Sequence, residues 1–88
     1  MKNKQSAKQK NLHRIKIIGG HIRAIEEMIN ESKYCVDIIH QSLAVQKALK
    51  RLDMALMKDH LNTCVVGQIR NGETDKSIDE LLRLYEMK

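Results

Sequence analysis

Apolar residues recur at Ile15, Ile18, Ile22, Ile25 and Ile29 in steps of three and four, the repeat that gathers them into one stripe of a helix. The spacing predicts a first helix from Leu12 to Ile29. Polar Asn30 to Lys33 breaks the stripe and predicts a short turn. Beyond it Ile38, Val45, Leu49, Leu52 and Leu56 form a second seam, which Cys35 extends upstream, and no proline or glycine interrupts Ile22 to Val66. A long second helix is therefore expected. Its stop is expected at Gly67 and the Arg70 to Thr74 segment with Asn71-Gly72. Thr74 or Asp75 then caps a short third helix that carries Ile78, Leu81, Leu82 and Tyr85 on its apolar side. Gly19 and Gly20 fall inside the first helix, where each costs about 1 kcal/mol against alanine; they mark a kink, a close helix contact or a tolerated weak point.

Composition supports packed helices. The chain of 88 residues has no Phe, Trp or Pro, so Ile, Leu, Val, Met and Ala fill the core and the fold class is all-α. Residues 1–11 are polar, charged and aperiodic, which predicts a flexible basic arm ahead of one helical domain over 12–88. A lone domain of this size is only marginally stable, and self-association is the expected remedy. No apolar run approaches the ~18 residues of a membrane span, and no apolar stretch follows the first lysines as a signal peptide requires. The expectation is a cytoplasmic protein without a membrane partner, whose two cysteines are free thiols or ligands rather than a disulfide.

Charge changes the picture. Of the formal net +5, Lys2, Lys4, Lys8, Lys10, Arg14, Lys16 and Arg23 all precede the first acidic residue, Glu26. Lys47, Lys50 and Arg51 form a second cluster in the middle of the long helix. Such footprints suit a phosphate backbone. The other reading is a solvated basic face behind a disordered tail.

The candidate chemistry lies in Cys35, His60 and Cys64. Two thiolates and an imidazole suit a soft ion, Cu(I) above all. His60 and Cys64 are spaced i, i+4, so a helix sets them one turn apart on one face. Cys35 lies roughly 37 Å from His60 along a continuous helix at ~1.5 Å per residue, so one chain cannot close the site alone. Antiparallel pairing of two copies brings the Cys35 end of one helix to the His60/Cys64 end of the other, giving two symmetric sites. A buried cysteine is also commonly just a small hydrophobe. His13, His21 and His40 have no comparable partners and are expected at the surface or in packing.

Leu12 through Val66 resembles the copper-sensing operon repressor family of bacteria, the CsoR/RcnR type. Tyr34-Cys35-Val36-Asp37-Ile38-Ile39-His40-Gln41-Ser42-Leu43-Ala44 is similar to its Y-C-x-D-x-x-x-Q-x-x-A signature. Asp59-His60-Leu61-Asn62-Thr63-Cys64-Val65 is similar to its D-H-x-x-x-C-V signature. The resemblance implies a three-helix protomer, an antiparallel four-helix-bundle dimer with intersubunit sites, and a dimer of dimers that binds operator DNA without a helix-turn-helix. It also implies Cu(I) held by Cys35 of one chain with His60 and Cys64 of the other. Tyr34 and Glu80 match positions whose hydrogen bonds steady the ligating imidazole. Arg14 and Arg51 match DNA-contacting arginines.

The ligand set separates this chain from sister sensors that the resemblance brings with it. Nickel and cobalt sensors have a histidine near position 3 and another in place of Cys64, where this chain has Asn3 and Cys64. Formaldehyde sensors have proline at position 2, here Lys2. Persulfide sensors lack the histidine, here His60. One departure concerns DNA: the family's R-I-E-G-Q-V-R-G is Ile17-Ile18-Gly19-Gly20-His21-Ile22-Arg23-Ala24 in this chain.

The expected function is a homotetrameric repressor that lays Arg14, Lys16, Arg23, Lys50 and Arg51 on operator DNA in the apo state and is released by Cu(I). The alternative in the same class is a thiol sensor in which Cys35 and Cys64 respond to oxidant or persulfide. An enzyme of the chorismate mutase type, clamping a dicarboxylate with arginines, is disfavoured because no nucleophile sits beside a base. A structural helical bundle would leave both cysteines replaceable. No small-molecule substrate is expected.

Overall fold

The computed structural model describes residues 6–87, which are helical and contain no strand. Helix α1 (Ala7–Asn30) is followed by α2 (Cys35–His60), a π-helical turn (Leu61–Val65), α3 (Val66–Arg70) and α4 (Thr74–Glu86). His60, Val65 and Val66 all have right-handed helical dihedrals, so the backbone runs through the π turn without a break. The long second helix of the sequence pattern is α2, the π turn and α3 together, and α4 is the short third helix. The chain divides between Leu56 and Met57 into two compact units.

In the first unit, α1 and α2 form a helical hairpin. Ile18, Val45 and Leu52 are its buried apolar side chains, with Ile25, Ala48 and Leu49 packed against them. The turn is a Schellman closure: the Ser32 amide donates to the Ile29 carbonyl and the Lys33 amide to that of Met28, which satisfies two carbonyls at the helix end. Ser32 takes φ 53° to do so. Three of the five isoleucines of the first stripe, Ile15, Ile22 and Ile29, remain exposed, whereas the second seam is covered at Val45 and Leu52 and half-covered at Ile38 and Leu49, with apolar residues beside it left open. Ile22, Ile29, Ile39 and Leu43 are each at least half exposed, so one chain leaves these apolar faces unpartnered.

The predicted arm over 1–11 needs correction from Ala7 onward, because α1 begins there. The cause is a capping box. Ser6 Oγ accepts from the Gln9 amide, and Gln9 Oε1 accepts from the Ser6 amide, each at 3.1 Å, so two otherwise orphaned donors are satisfied where the apolar repeat has not yet started. Lys2 and Lys4 of the predicted arm lie outside the described residues.

In the second unit, the helix runs past Gly67, which does not stop it, and ends at Arg70 in the expected Arg70 to Thr74 segment with Asn71-Gly72. Gly72 has φ 78°, its amide donates to the Ile69 carbonyl, and the Glu73 amide donates to that of Gln68 at 2.7 Å. The left-handed residue that ends a helix this way is Gly72; Gly67 sits inside the helix, where glycine is merely permitted. The predicted cap on the third helix also differs. Glu73 is the N-cap and makes no side-chain cap bond, because the Schellman closure delivers the chain at Glu73 directly into α4. Thr74 and Asp75 thereby become the first two helical residues, and Asp75 still sets its negative charge against the positive helix end. Among the described residues no helix is long and apolar enough to cross a membrane.

Candidate metal centre and nucleic-acid interface

His60 is the last residue of α2 and Cys64 the fourth of the π turn that follows. The unit one turn apart on one face is therefore built across a change of helix type, which the i, i+4 spacing did not announce. Single π turns inside α-helices occur frequently at functional sites. His60 is half-buried and Cys64 exposed. Inside this turn Thr63 Oγ1 donates to the Asp59 carbonyl at 2.7 Å and lies 3.7 Å from Cys64 Sγ.

Cys35 is the first residue of α2. Both cysteines are free and exposed, so neither is the buried small hydrophobe that the seam position of Cys35 allowed. Among the described residues no three His, Cys, Asp or Glu side chains gather within one chain to hold a metal. The donors fit a soft ion by chemistry, two thiols and one imidazole, and only His60 and Cys64 are close in sequence.

Tyr34 immediately precedes α2, 67% exposed, and its carbonyl accepts from the amides of Asp37 and Ile38. Glu80 lies on α4 and its Oε1 accepts a 2.9 Å, part-buried hydrogen bond from Gln68 Nε2 on α3. In the single chain Glu80 is thus engaged by Gln68. Nearby in sequence, Ser77 is 2% exposed, and its Oγ, like Gln68 Oε1, is buried with no hydrogen-bond partner. Sequence reasoning missed Thr63 and Gln68. Thr63 had a signal, a hydroxyl four residues after a potential acceptor carbonyl in a helix; Gln68 had none, since its partner is twelve residues away across a turn.

The five basic candidates are all exposed in the first unit. Arg14, Lys16 and Arg23 lie on α1, and Lys50 and Arg51 on α2. Arg14 Nη1 donates to Asn11 Oδ1 at 3.2 Å. The Arg23 guanidinium lies beside Gly19 and Gly20, 3.6 and 3.9 Å from where a Cβ would stand on each. Lys16, Lys50 and Arg51 form none of the salt bridges found among the described residues, which are Lys33 with Glu31 and Lys76 with Glu73. Solvated cations on two helices of one hairpin are what a phosphate backbone requires.

An all-helical chain with soft donors on its long helix and basic residues on its hairpin is matched over residues 7–87 by the metal-sensitive transcriptional repressor family. The chain belongs to that family, whose members are repressors and not enzymes. It is 38% identical over 86 residues to the copper-sensing transcriptional repressor CsoR of Bacillus subtilis, covering 96% of this chain and 85% of that one. CsoR of Mycobacterium ulcerans is 36% identical over 75 residues, with 85% of this chain and 64% of that protein covered. Among solved structures, the copper-sensing repressor CsoR with Cu(I) from Geobacillus thermodenitrificans superposes with a TM-score of 0.87 at 32% identity, over 99% of this chain and 92% of that one. The nickel-responsive transcriptional regulator InrS superposes with a TM-score of 0.75 at 29% identity, over 99% and 98%.

Proposed function

We propose that this metal-sensitive repressor senses Cu(I) through Cys35 of one chain and His60 and Cys64 of another, and that the apo homotetramer holds operator DNA until the ion binds. The observation that carries this reading is the donor set. Two free, exposed thiols and one half-buried imidazole select a soft monovalent ion over nickel, which is better served by imidazole and harder donors. Similarity to a repressor solved with Cu(I) supports the same choice. The uncovered apolar faces of α1 and α2 supply the surface on which copies pair.

When bound, Cu(I) supplies bonds to sulfur and nitrogen that tie two chains together. His60 and Cys64 of one copy and Cys35 of its neighbour would hold the ion. Tyr34 and Glu80 orient the His60 imidazole, and Glu80 must first exchange its bond from Gln68. That exchange would free α4 from α3, and the response read out is the release of DNA by Arg14, Lys16, Arg23, Lys50 and Arg51. By linkage, DNA lowers Cu(I) affinity by the same factor by which Cu(I) lowers DNA affinity, about 1–3 kcal/mol of coupling.

Anaerobic titration of the reduced protein with Cu(I) against a competing chelator, with and without its promoter DNA, tests this. One tight Cu(I) per chain, weakened by DNA, is the expected result. DNA leaving the affinity unchanged, or no tight binding with both thiols free, overturns it. The exposure of both thiols favours a second reading, a thiol sensor. A nonreducing gel after persulfide treatment identifies it by a crosslinked dimer that Cys35→Ser abolishes.

A further inference from the structure

We propose that Thr63 is a positioning residue for the sensing thiol: its hydroxyl holds the π turn open and sets the direction of Cys64 beside His60. One oxygen makes two contacts. Thr63 Oγ1 donates to the Asp59 carbonyl at 2.7 Å and stands 3.7 Å from Cys64 Sγ. A hydroxyl has one proton and two lone pairs. Both contacts draw on that one proton, toward the Asp59 carbonyl and toward Cys64 Sγ, so the hydroxyl links the backbone one turn back to the thiol and restrains its rotation.

The first contact acts on the backbone. A threonine hydroxyl bonding the carbonyl one turn back competes with the amide that would otherwise use that carbonyl, and it bends the helix. That competing bond ends on Thr63, within the π turn over Leu61–Val65, where the helix takes the i to i+5 pattern. The turn contains no glycine or proline, so neither usual cause of helix distortion accounts for it. Cys64 is the fourth of its five residues, and a return to α geometry would turn its Cβ about the helix axis relative to His60 while keeping both near one face. Serine retains both functions of the hydroxyl, whereas valine keeps the shape and loses the proton and the lone pairs.

The inference rests on the metal reading for its consequence but not for its geometry, so its test has one arm without metal. In the apo protein, alkylation of Cys64 is followed by mass spectrometry with Cys35 of the same chain as internal reference. Thr63→Val is expected to change the Cys64 to Cys35 rate ratio by about threefold or more, and Thr63→Ser to leave it near wild type. A ratio unmoved by valine overturns the proposal. In the second arm, Cu(I)-loaded protein is studied by X-ray absorption. Thr63→Val is expected to lose the nitrogen from the shell and to weaken Cu(I) about tenfold, with serine restoring both. Wild-type sulfur and nitrogen numbers in Thr63→Val overturn the link to the metal. A wild type without Cu(I), combined with a shifted alkylation ratio, overturns the copper reading and leaves the role of Thr63 standing.

Discussion

Gln68 on α3 and Glu80 on α4 are joined by a 2.9 Å hydrogen bond that spans the Asn71-Gly72 turn. It is a part-buried, charge-assisted contact between two helices, of the kind that contributes about 1.5–3 kcal/mol. Gln68→Ala removes the donor and leaves the carboxylate half-buried. The expected loss is about 1–2 kcal/mol in urea unfolding, with Gln68→Glu worse because two carboxylates then face each other. A Gln68→Ala variant as stable as wild type would show that the bond holds nothing.

The two Schellman closures make opposite predictions for their left-handed residues. Ser32 adopts φ 53° and Gly72 φ 78°, and a side chain in that region costs about 1–2 kcal/mol. Ser32→Gly is expected to raise stability by about 0.5–1 kcal/mol, less than the full penalty because glycine also loosens the unfolded chain. Gly72→Ala is expected to lower it by about 1 kcal/mol. Thermal unfolding of both variants checks the pair, and a shift of the same sign in both would contradict this account.

What was legible in the sequence followed the periods. The steps of three and four placed α1, the long helix and α4, with Cys35 at the start of the long helix and His60 and Cys64 toward its end. Boundaries decided by hydrogen bonds fared worse. The capping box at Ser6 and Gln9 was present as Ser-x-x-Gln but lay inside a polar run, so the helix start was read from the first apolar residue instead. Gly67 and Gly72 are indistinguishable as letters, and only the Gly72 dihedral separates a permitted glycine from a required one. The π turn was hidden because α and π backbones keep i and i+4 near one face, and the difference lies in which carbonyl each amide selects.

Gly19 and Gly20 permit a test of whether their cost is imposed by another chain. Within one chain an alanine Cβ at either position meets the flexible Arg23 guanidinium at 3.6 or 3.9 Å, ordinary contact. Alanine therefore gains helix propensity of about 1 kcal/mol per site in an isolated hairpin. If copies pack closely over this face, the same methyl group clashes in the assembly. The expected outcome is that Gly19→Ala and Gly20→Ala stabilise the protein with its oligomeric state intact. Sedimentation showing dissociation would instead identify the pair as a close contact between copies.

Arg51→Ala and His60→Ala are expected to separate the two halves of the function. Arg51 is an exposed cation on the hairpin and His60 a half-buried imidazole at the π turn. Removing one cation per chain should weaken DNA binding at every sequence alike and reduce the slope of log affinity against log salt by about 1 for each phosphate no longer neutralised. Metal response should persist in that variant. His60→Ala leaves the basic face untouched, so apo DNA affinity and its salt slope should match wild type while the weakening of DNA binding by Cu(I) disappears. DNA binding measured by fluorescence anisotropy over a salt series, with and without Cu(I), reads all of these quantities at once. Failure of apo DNA binding in His60→Ala would mean that the site holds the repressor together rather than switching it.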